Sequence, residues 1–238
     1  MKLTARDVAR LIDISAVQAP HGAAEIRDLV ANAREFHFMA VHVLPCWVTF
    51  LKELLAGGAD DILIGAPVGF PSGAHRTEIK VAEARLLLQD GVQEMDMMLN
   101  VGKLRSGEYR YCEEDIRAVV LAAGDVPVKV ILEVHYLSQD QIKRACEACI
   151  NAGAAYVKTA TGWAPSGATL EVVQLITSFA GKAIKVKAAG NIRSIETLVT
   201  MYRMGVSRFG INLNSSVDIV KSVAALPGGV VEVGTVEV

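Results

Sequence analysis

Residues 128–159, VKVILEVHYLSQDQIKRACEACINAGAAYVKT, contain one complete strand–helix–strand unit. Apolar, β-branched runs at 128–134 and 155–159 predict buried strands, and the apolar residues between 139 and 152 recur at helical spacing. A helical crossover of this length joins neighbouring parallel strands. The unit therefore predicts a parallel sheet that helices cover.

The same alternation of strand and helix recurs along the chain. Further strands are predicted at 11–14, 38–44, 61–66, 93–99, 183–189 and 207–211, and a second clear helical pattern covers 77–90. Eight strands in 238 residues leave about 30 residues for each unit, which suits a (β/α)8 TIM barrel. A doubly wound open sheet is the alternative, but it usually carries a glycine-rich turn after its first strand, and residues 13–16, DISA, are not one. The sequence favours the barrel.

We expect one domain spanning residues 1–238. No linker rich in proline or serine, no low-complexity tract and no abrupt change in charge divides the chain. The segment from about residue 227, PGGVVEVGTVEV, alternates apolar and acidic residues. This pattern is compatible with a short strand, a docking tail or a frayed end.

Composition excludes several classes of protein. Apolar residues make up 52% of the chain and charged residues 21%, so the chain can form a core and is not disordered. A net charge of −2 does not suit binding to nucleic acid, so we expect a small-molecule partner. No run approaches the roughly 18 apolar residues of a membrane span, so no membrane partner is expected.

The compartment follows from the cysteines and the first residues. Four cysteines are too few and too unevenly spaced for the disulfide framework of a small secreted protein: Cys46, Cys112, Cys146 and Cys149. Charges at Arg6, Asp7 and Arg10 interrupt the first 15 residues, which lack the apolar region of a signal peptide. We expect a cytoplasmic protein.

Charged residues inside apolar strands are the candidates for chemistry, because the carboxyl ends of barrel strands form the active site of this fold. Lys158 lies in AYVKTATG, Lys187 in IKVKAAGN and Asp96 in EMDMML, and Asp13 lies in LIDIS. A single buried lysine is usually a snorkelling side chain or a paired structural ion. Two inward lysines on adjacent strands disfavour each other's protonation, and burial adds to the effect. One of the two can then be a neutral amine.

A neutral amine can attack a carbonyl and form an iminium, which accepts the electrons of a breaking carbon–carbon bond. This is the chemistry of a class I aldolase. An inward carboxylate such as Asp96 can hold the second lysine protonated and, with a water, relay protons. Cys146 and Cys149 form a C-x-x-C, but they lie in a helical pattern without histidine ligands, so they do not indicate a zinc site. The sequence also has no cluster of histidines and carboxylates that would indicate a site for a divalent ion. We expect no metal and no cofactor.

Six segments, in order and over nearly the whole chain, resemble the deoxyribose-phosphate aldolase family: LIDIS (11–15), GFPSGAHRTEIKVAEA (69–84), EMDMMLNVGKL (94–104), VKVILEV (128–134), AYVKTATGW (155–163) and IKVKAAGNIR (184–193). The resemblance implies that Lys158 is the Schiff-base lysine and Lys187 the second lysine that tunes it. It implies that Asp96 is the proton-relay carboxylate and that Asp13 contacts a substrate hydroxyl. The implied reaction is reversible cleavage of 2-deoxy-D-ribose 5-phosphate to acetaldehyde and D-glyceraldehyde 3-phosphate.

The resemblance also implies that backbone amides after the sixth, seventh and eighth strands bind the substrate phosphate. The family usually has Gly-Gly after the seventh strand and Gly-x-Ser-Ser after the eighth, and some members carry a lysine where this chain has Trp163. This chain has Gly190-Asn191 after the seventh strand and Gly210-Ile211-Asn212-Leu213 after the eighth, so a phosphate, another anion and a neutral hydroxyl remain alternatives for the group bound there. Candidate donors in these segments are Thr161, Gly162, Gly190, Asn191, Gly210 and Asn212, with Ser215 and Ser216 nearby.

Histidines and further lysines leave several roles open. His42 lies near the end of the second strand, where the family often carries cysteine, so we expect it to face the site as a substrate contact or a packed histidine. His75, Arg76 and His135 either contact substrate or meet solvent. Lys185 shares a strand face with Lys187 unless a bulge or a late strand start intervenes. Lys129 needs a buried partner, for which Glu133 and Glu94 are candidates.

Two other functions remain as alternatives. One is an aldolase of the same mechanism with a different or unphosphorylated aldol substrate. The other is a non-catalytic sugar-phosphate sensor, which would bind ligand without forming an iminium. Barrels of this size often associate, so we expect a homodimer.

Overall fold

The computed structural model describes residues 1–58 and 61–234, and its centre is a closed barrel of eight parallel strands. A short strand β1 (Lys2–Thr4) and helix α1 (Ala5–Ala9) come first. Each barrel strand pairs with the next, and the last pairs with the first: β2 Ile12–Ala16, β3 Ala40–Val43, β4 Leu63–Val68, β5 Glu94–Met98, β6 Val128–Ile131, β7 Tyr156–Lys158, β8 Lys185–Ala189 and β9 Val206–Ile211. This closure confirms the predicted (β/α)8 barrel and excludes the open sheet.

Helices cover the outer surface of the barrel: α2 Ala23–Phe36, α3 Val48–Leu55, α4 Thr77–Asp90, α5 Val101–Arg105, α6 Tyr109–Ala123, α7 Gln139–Ala152, α8 Leu170–Ala180, α9 Ile195–Arg203 and α10 Leu213–Ala224. Short 3-10 turns occupy Pro45–Trp47, Val134–Tyr136 and Pro227–Gly229. None of the helices within residues 1–58 and 61–234 has the length and apolar character needed to cross a membrane.

The two helices predicted from periodicity begin and end where predicted, at α4 and α7. Ser138 and Gln141 form a capping box that starts α7: each side chain accepts a hydrogen bond from the other's backbone N–H. Gly153 ends the helix with φ of 81°, a left-handed conformation that glycine adopts without steric cost. Local signals therefore determine both ends of this helix.

Several strands are shorter than their apolar runs. β3 ends before Pro45, which has no N–H to continue a ladder and starts a 3-10 turn. β6 ends at Ile131, and Glu133 shortly after it takes the left-handed φ of 53°. The apolar runs that extend beyond these strands, as at Phe38 and Leu132, are still buried in the core. Burial, and not strand pairing, explains their composition.

Side chains alternate between the two faces of each barrel strand. Apolar residues such as Ile14, Val41 and Val157 occupy the outward positions and form the core with the helices. The inward positions instead carry a dense set of buried or nearly buried polar groups: Asp13, His42, Glu94, Asp96, Lys129, Lys158, Lys187 and Arg208. The barrel interior is therefore an ionic cluster.

The carboxyl-terminal segment forms a short strand, one of the three structures that its pattern allows. Strand β10 (Val230–Glu232) pairs antiparallel with β1, so that residues 2–4 meet residues 230–232. Arg203 donates hydrogen bonds to the carbonyls of Glu232 and Val233. Residues 235–238 of the predicted tail lie outside the described residues.

Candidate active site

Lys158 and Lys187 lie side by side near the carboxyl ends of β7 and β8, where they are register partners. Lys158 Nζ is 2.6 Å and Lys187 Nζ is 2.9 Å from the same oxygen, Oδ2 of Asp96 on β5. The structure thus brings together the three residues that the sequence suggested for catalysis. Both amines contact one carboxylate oxygen, so their charge states depend on each other.

A second layer of ion pairs lies beneath these lysines. Lys187 Nζ is 2.7 Å from Asp13 Oδ2, and Arg208 Nη1 donates to Asp13 Oδ1 at 2.5 Å. Glu94 Oε2 pairs with Arg208 Nη2 at 3.1 Å and with Lys129 Nζ at 2.8 Å. Of the two candidate partners for Lys129, Glu94 is the one observed. Asp13 therefore pairs with Lys187 and Arg208. The contact with a substrate hydroxyl that the family resemblance implies would be a further interaction of the same carboxylate.

Lys185 does not add a cation to this cluster. It is the first residue of β8 and is exposed, and the β8–β9 register shifts between Val186 and Lys187. Its Nζ lies 5.5 Å from the centre of the Tyr156 ring. Lys185 thus lies at the exposed amino-terminal end of its strand, outside the cluster.

The cluster carries one more cation than carboxylates. Lys129, Lys158, Lys187 and Arg208 face Asp13, Glu94 and Asp96. Burial, and then the positive charges of Lys187 and Lys129, lower the pKa of Lys158 to about 8, against the opposing effect of Asp96. An appreciable fraction of Lys158 is then a neutral amine near neutral pH.

Lys187 and its carboxylate partners keep their charges. Burial disfavours the charged form of Lys187, but Asp13, Asp96 and Glu94 outweigh it and raise the pKa of this lysine. Burial likewise opposes ionisation of Asp96, yet Lys158 and Lys187 hold its pKa well below the usual range. Burial also opposes ionisation of Asp13, and the positive charges of Lys129 and Lys187 hold the pKa of this carboxyl well below its usual range. The two lysines are therefore electrostatically different.

His42 faces the cluster from β3 and is only 3% exposed. Its Nε2 lies 3.6 Å from Asp13 Oδ2 and 3.6 Å from Glu94 Oε1, and its Nδ1 lies 3.7 Å from Asp96 Oδ2. Within residues 1–58 and 61–234, neither ring nitrogen nor Glu94 Oε1 has a hydrogen-bond partner. The histidine is thus inside the site, as expected, and poorly satisfied.

The donor atoms of Asp13, His42 and Glu94 all lie within 4.8 Å of one another, a spacing compatible with metal binding. Both carboxylates, however, already pair with cationic side chains, Lys187, Lys129 and Arg208 among them. A divalent cation at this position would meet those positive charges at close range. The donor set therefore does not fit a metal ion.

A cavity of about 230 Å³ opens above the cluster at the carboxyl ends of the strands. Eleven of the site residues suggested by the sequence line it: Asp13, His42, Asp96, Lys158, Thr161, Gly162, Lys187, Gly190, Asn191, Gly210 and Asn212. Sequence reasoning missed five further polar residues of its wall: Ser15, Gln18, His21, Ser166 and Arg193. Ser15 and Arg193 fall within the quoted motifs and could have been found there, whereas Gln18 and His21 lie in a loop without a pattern.

The far end of the cavity consists of turns and a helix start. Gly190 and Asn191 have φ of 88° and 64°, so an asparagine occupies a left-handed position. Asn212 caps α10 by accepting from Ser215 N–H at 3.0 Å. The hydroxyl groups of Ser215 and Ser216 both bond to Asn212, and neither serine lines the cavity. Backbone amides, a helix amino terminus and Arg193 are what this end offers to an anion.

The loop after β7 is held against its neighbours. The Thr161 hydroxyl donates to Glu133 and accepts from the Trp163 N–H at 2.9 Å, so it positions the loop. Trp163 Nε1 donates to the Val17 carbonyl at 2.9 Å, which ties this loop to the loop after β2. His135 bonds to Ser166 at the rim.

His75 and Arg76, in the loop before α4, are exposed and do not line the cavity. Cys146 and Cys149, the C-x-x-C pair of the sequence, are buried in α7 as free thiols. Burial raises the pKa of Cys146 to about 12. These two cysteines contribute to the core between α7 and the barrel.

The chain is similar to known aldolases over most of its length. A family model described as DeoC/LacD family aldolase matches residues 8–212. A deoxyribose-phosphate aldolase of Rhizobium meliloti is 49% identical over 95% of this chain and 91% of its own, and one of Klebsiella pneumoniae is 48% identical over 89% and 86%. The structure of a deoxyribose phosphate aldolase from Aeropyrum pernix, described as tetrameric, aligns over 94% of both chains with a TM-score of 0.84 and 26% identity. This protein belongs to the deoxyribose-phosphate aldolase family and is a carbon–carbon lyase.

Proposed function

We propose that this protein cleaves 2-deoxy-D-ribose 5-phosphate reversibly to acetaldehyde and D-glyceraldehyde 3-phosphate through an iminium on Lys158. The observation that carries the proposal is the shared Asp96 oxygen, which lies between one amine with a lowered pKa and one with a raised pKa. Lys158 is the more accessible of the two, with 11% of its side chain exposed at the cavity.

Cleavage begins when neutral Lys158 attacks the aldehyde carbon of the open-chain sugar. Loss of water from the resulting carbinolamine forms the iminium. Removal of the proton from the C3 hydroxyl then breaks the C2–C3 bond, whose electrons flow into the iminium and form an enamine. The three-carbon aldehyde leaves, the enamine carbon takes up a proton, and hydrolysis of the second iminium releases acetaldehyde and the free amine.

Asp96 and Lys187 support these proton transfers in different ways. Asp96 contacts Lys158 directly, so it can pass protons, through a water, to and from the carbinolamine and the C3 hydroxyl. Lys187 stays protonated between Asp13 and Asp96 and keeps both carboxylates ionised. Its positive charge also disfavours protonation of Lys158.

The far end of the cavity supports a phosphorylated substrate. Gly190, the amino terminus of α10 and Arg193 border it, and these groups suit a phosphate. An aldolase of the same mechanism for a different aldol is the second candidate, because Asn191, Trp163 and Asn212 depart from the family pattern there. A panel of substrates that differ only at the phosphate end separates the two: a much higher kcat/KM for the unphosphorylated sugar would overturn the first.

The decisive experiment traps the iminium. The protein is incubated with acetaldehyde and borohydride, its intact mass is measured, and peptides are mapped for an ethylated lysine. We expect one ethyl group, on Lys158, in wild type and in the matched control Lys185→Ala, and none on this peptide in Lys158→Ala. Folded protein without the adduct would contradict the mechanism and support a non-catalytic sugar-phosphate sensor.

We also infer a homodimer, a cytoplasmic location and a single functional domain. The residues that line the cavity are spread from Asp13 to Asn212, so segments along most of the chain contribute to one site. All four cysteines are free, which suits a reducing compartment. Light scattering of the purified protein tests the dimer, and a tetrameric mass would replace it.

A further inference from the structure

His42 occupies a position in the cluster that no mechanistic step described above uses. Its ring lies among three carboxylates, with Nε2 between Asp13 and Glu94 and Nδ1 facing Asp96. Although the ring is almost fully buried, neither nitrogen has a hydrogen-bond partner among the described residues. An unsatisfied buried polar group is costly, so such a group calls for a functional explanation.

The barrel has a specific space for this ring. Gly65 on β4 is the register partner of His42, and a Cβ at Gly65 would overlap the imidazole. The φ angle of Gly65 is not positive, so its backbone conformation is one that other residues also adopt. A close approach of the imidazole, and not backbone geometry, therefore explains the glycine.

A neutral imidazole cannot satisfy this environment. It has one N–H, and Glu94 Oε1 is the acceptor that lacks any other partner, so the best position for this proton is Nε2. The lone pair of Nδ1 then faces Asp96 Oδ2, another acceptor. Only a doubly protonated ring would donate to Glu94 and Asp96 together. The geometry thus favours a second proton on His42 whenever Asp96 loses a cationic partner.

Asp96 loses such a partner when Lys158 becomes neutral. We propose that His42 accepts, through Asp96, the proton that Lys158 releases to become a nucleophile. The N–H bond on Lys158 breaks, the proton passes by way of Asp96 Oδ2, and an N–H bond forms on His42 Nδ1. The charge of the cluster does not change. A movement of ~1 Å would bring Nδ1 and Oδ2 to the ~2.8 Å of a charge-assisted hydrogen bond.

This inference rests on the proposed iminium at Lys158, and it makes His42 a positioning residue that acts through Asp96. On β4, the register partner of His42 is Gly65, which carries no charge. The charged groups that share the barrel interior with the ring come from six other strands: Asp13, Glu94, Asp96, Lys129, Lys158, Lys187 and Arg208. With four cations and three carboxylates already present, an internal transfer avoids expelling or importing a buried charge.

The first test compares wild type with His42→Asn, which keeps a polar group without a titratable proton. The rate of acetaldehyde trapping by borohydride is measured from about pH 6 to pH 9. In the variant we expect the rate to fall about ten-fold per pH unit below the pKa of Lys158, about 8. In wild type the rate should level off there, because the Lys158–His42 pair shifts its proton internally. Parallel profiles would overturn the proposal.

A second measurement does not depend on activity or on the folding of that variant. Nitrogen-15 NMR of the imidazole rings at pH 7.5 compares wild type with Lys158→Met, which removes the cation from Asp96. We expect a larger doubly protonated fraction of His42 in Lys158→Met, and an unchanged neutral ring would contradict the inference. If wild type traps acetaldehyde on Lys158 but His42 stays neutral, only this inference fails. If wild type traps none, the proposed function fails.

Discussion

Lys158 and Lys187 are register partners whose Nζ atoms lie 2.6 and 2.9 Å from the same oxygen of Asp96. One carboxylate cannot fully compensate two ammonium groups in a buried site. Lys187 has a second carboxylate, Asp13 at 2.7 Å, whereas among residues 1–58 and 61–234 Lys158 pairs with Asp96 alone. The difference in partners explains why the pKa of Lys158 is lowered and that of Lys187 is raised.

Replacing Lys187 by leucine should make Lys158 a poorer nucleophile at neutral pH. Without the neighbouring cation, Asp96 holds the Lys158 ammonium more strongly, so its pKa rises. We expect kcat at pH 7.5 to fall by ~10²-fold and the trapping profile to move to higher pH. Lys185→Leu, on the same strand but exposed, should leave both unchanged. An unshifted profile in Lys187→Leu would argue against the coupling.

Asp96→Asn should separate iminium formation from bond cleavage. The amide keeps the shape of the side chain but cannot accept and return protons, so turnover should fall by roughly 10²–10⁴-fold. Loss of the anion favours neutral Lys158, so trapping of acetaldehyde at pH 7.5 should fall much less than turnover. Steady-state cleavage and borohydride trapping are compared, with the exposed Asp218→Asn as control. Equal losses in both assays would remove the relay role.

Asp13→Asn should destabilise the protein. Lys187, Arg208 and Lys129 then keep their charges with one carboxylate fewer, and breaking a buried pair costs about 3–5 kcal/mol. Because the folded pKa of Asp13 is depressed, its contribution is complete above the unfolded value of about 4 and is lost as pH falls below it. Urea unfolding at pH 7 and pH 3 measures both effects. The variant should lose less stability than wild type between these two pH values.

Gly65→Ala tests the close approach to His42. A methyl group here overlaps the ring, so we expect a loss of about 1–3 kcal/mol in unfolding free energy. Gly22→Ala is a suitable control, because its Cβ would meet Glu25 at 3.8 Å and should cost less than about 1 kcal/mol. In the double variant with His42→Ala, Gly65→Ala should cost much less. Additive losses would show that the ring is not what limits residue 65.

Arg193→Met should weaken binding of the phosphorylated substrate selectively. Hydrogen bonds to charged groups contribute about 1.5–3 kcal/mol, so KM for 2-deoxy-D-ribose 5-phosphate should rise roughly 10- to 100-fold. KM for unphosphorylated 2-deoxy-D-ribose should stay the same. Arg76→Met, exposed and outside the cavity, is the matched control. An equal rise in KM for both sugars would place the phosphate elsewhere.

The barrel and the meeting of Lys158, Lys187 and Asp96 could be predicted because their signals are local. Strand and helix positions follow from hydrophobic spacing within a few residues, and a lysine or aspartate inside an apolar strand is visible without a structure. Arg208 carried the same signal within the strand predicted at 207–211 and was missed. It stands early in that strand, and only its contacts with Asp13 and Glu94 show that it belongs to the cluster.

The sequence by itself determined the parallel barrel, the inward lysines and the family resemblance, because alternation along a strand fixes which side chains face inward. Only the tertiary structure decided which lysine has the lowered pKa. That outcome depends on the burial of both amines and on their distances to Asp96 and Asp13, which lie 62 or more residues away from either lysine. Charge interactions in a buried site vary steeply with distance, so these preferences arise only after the barrel has closed.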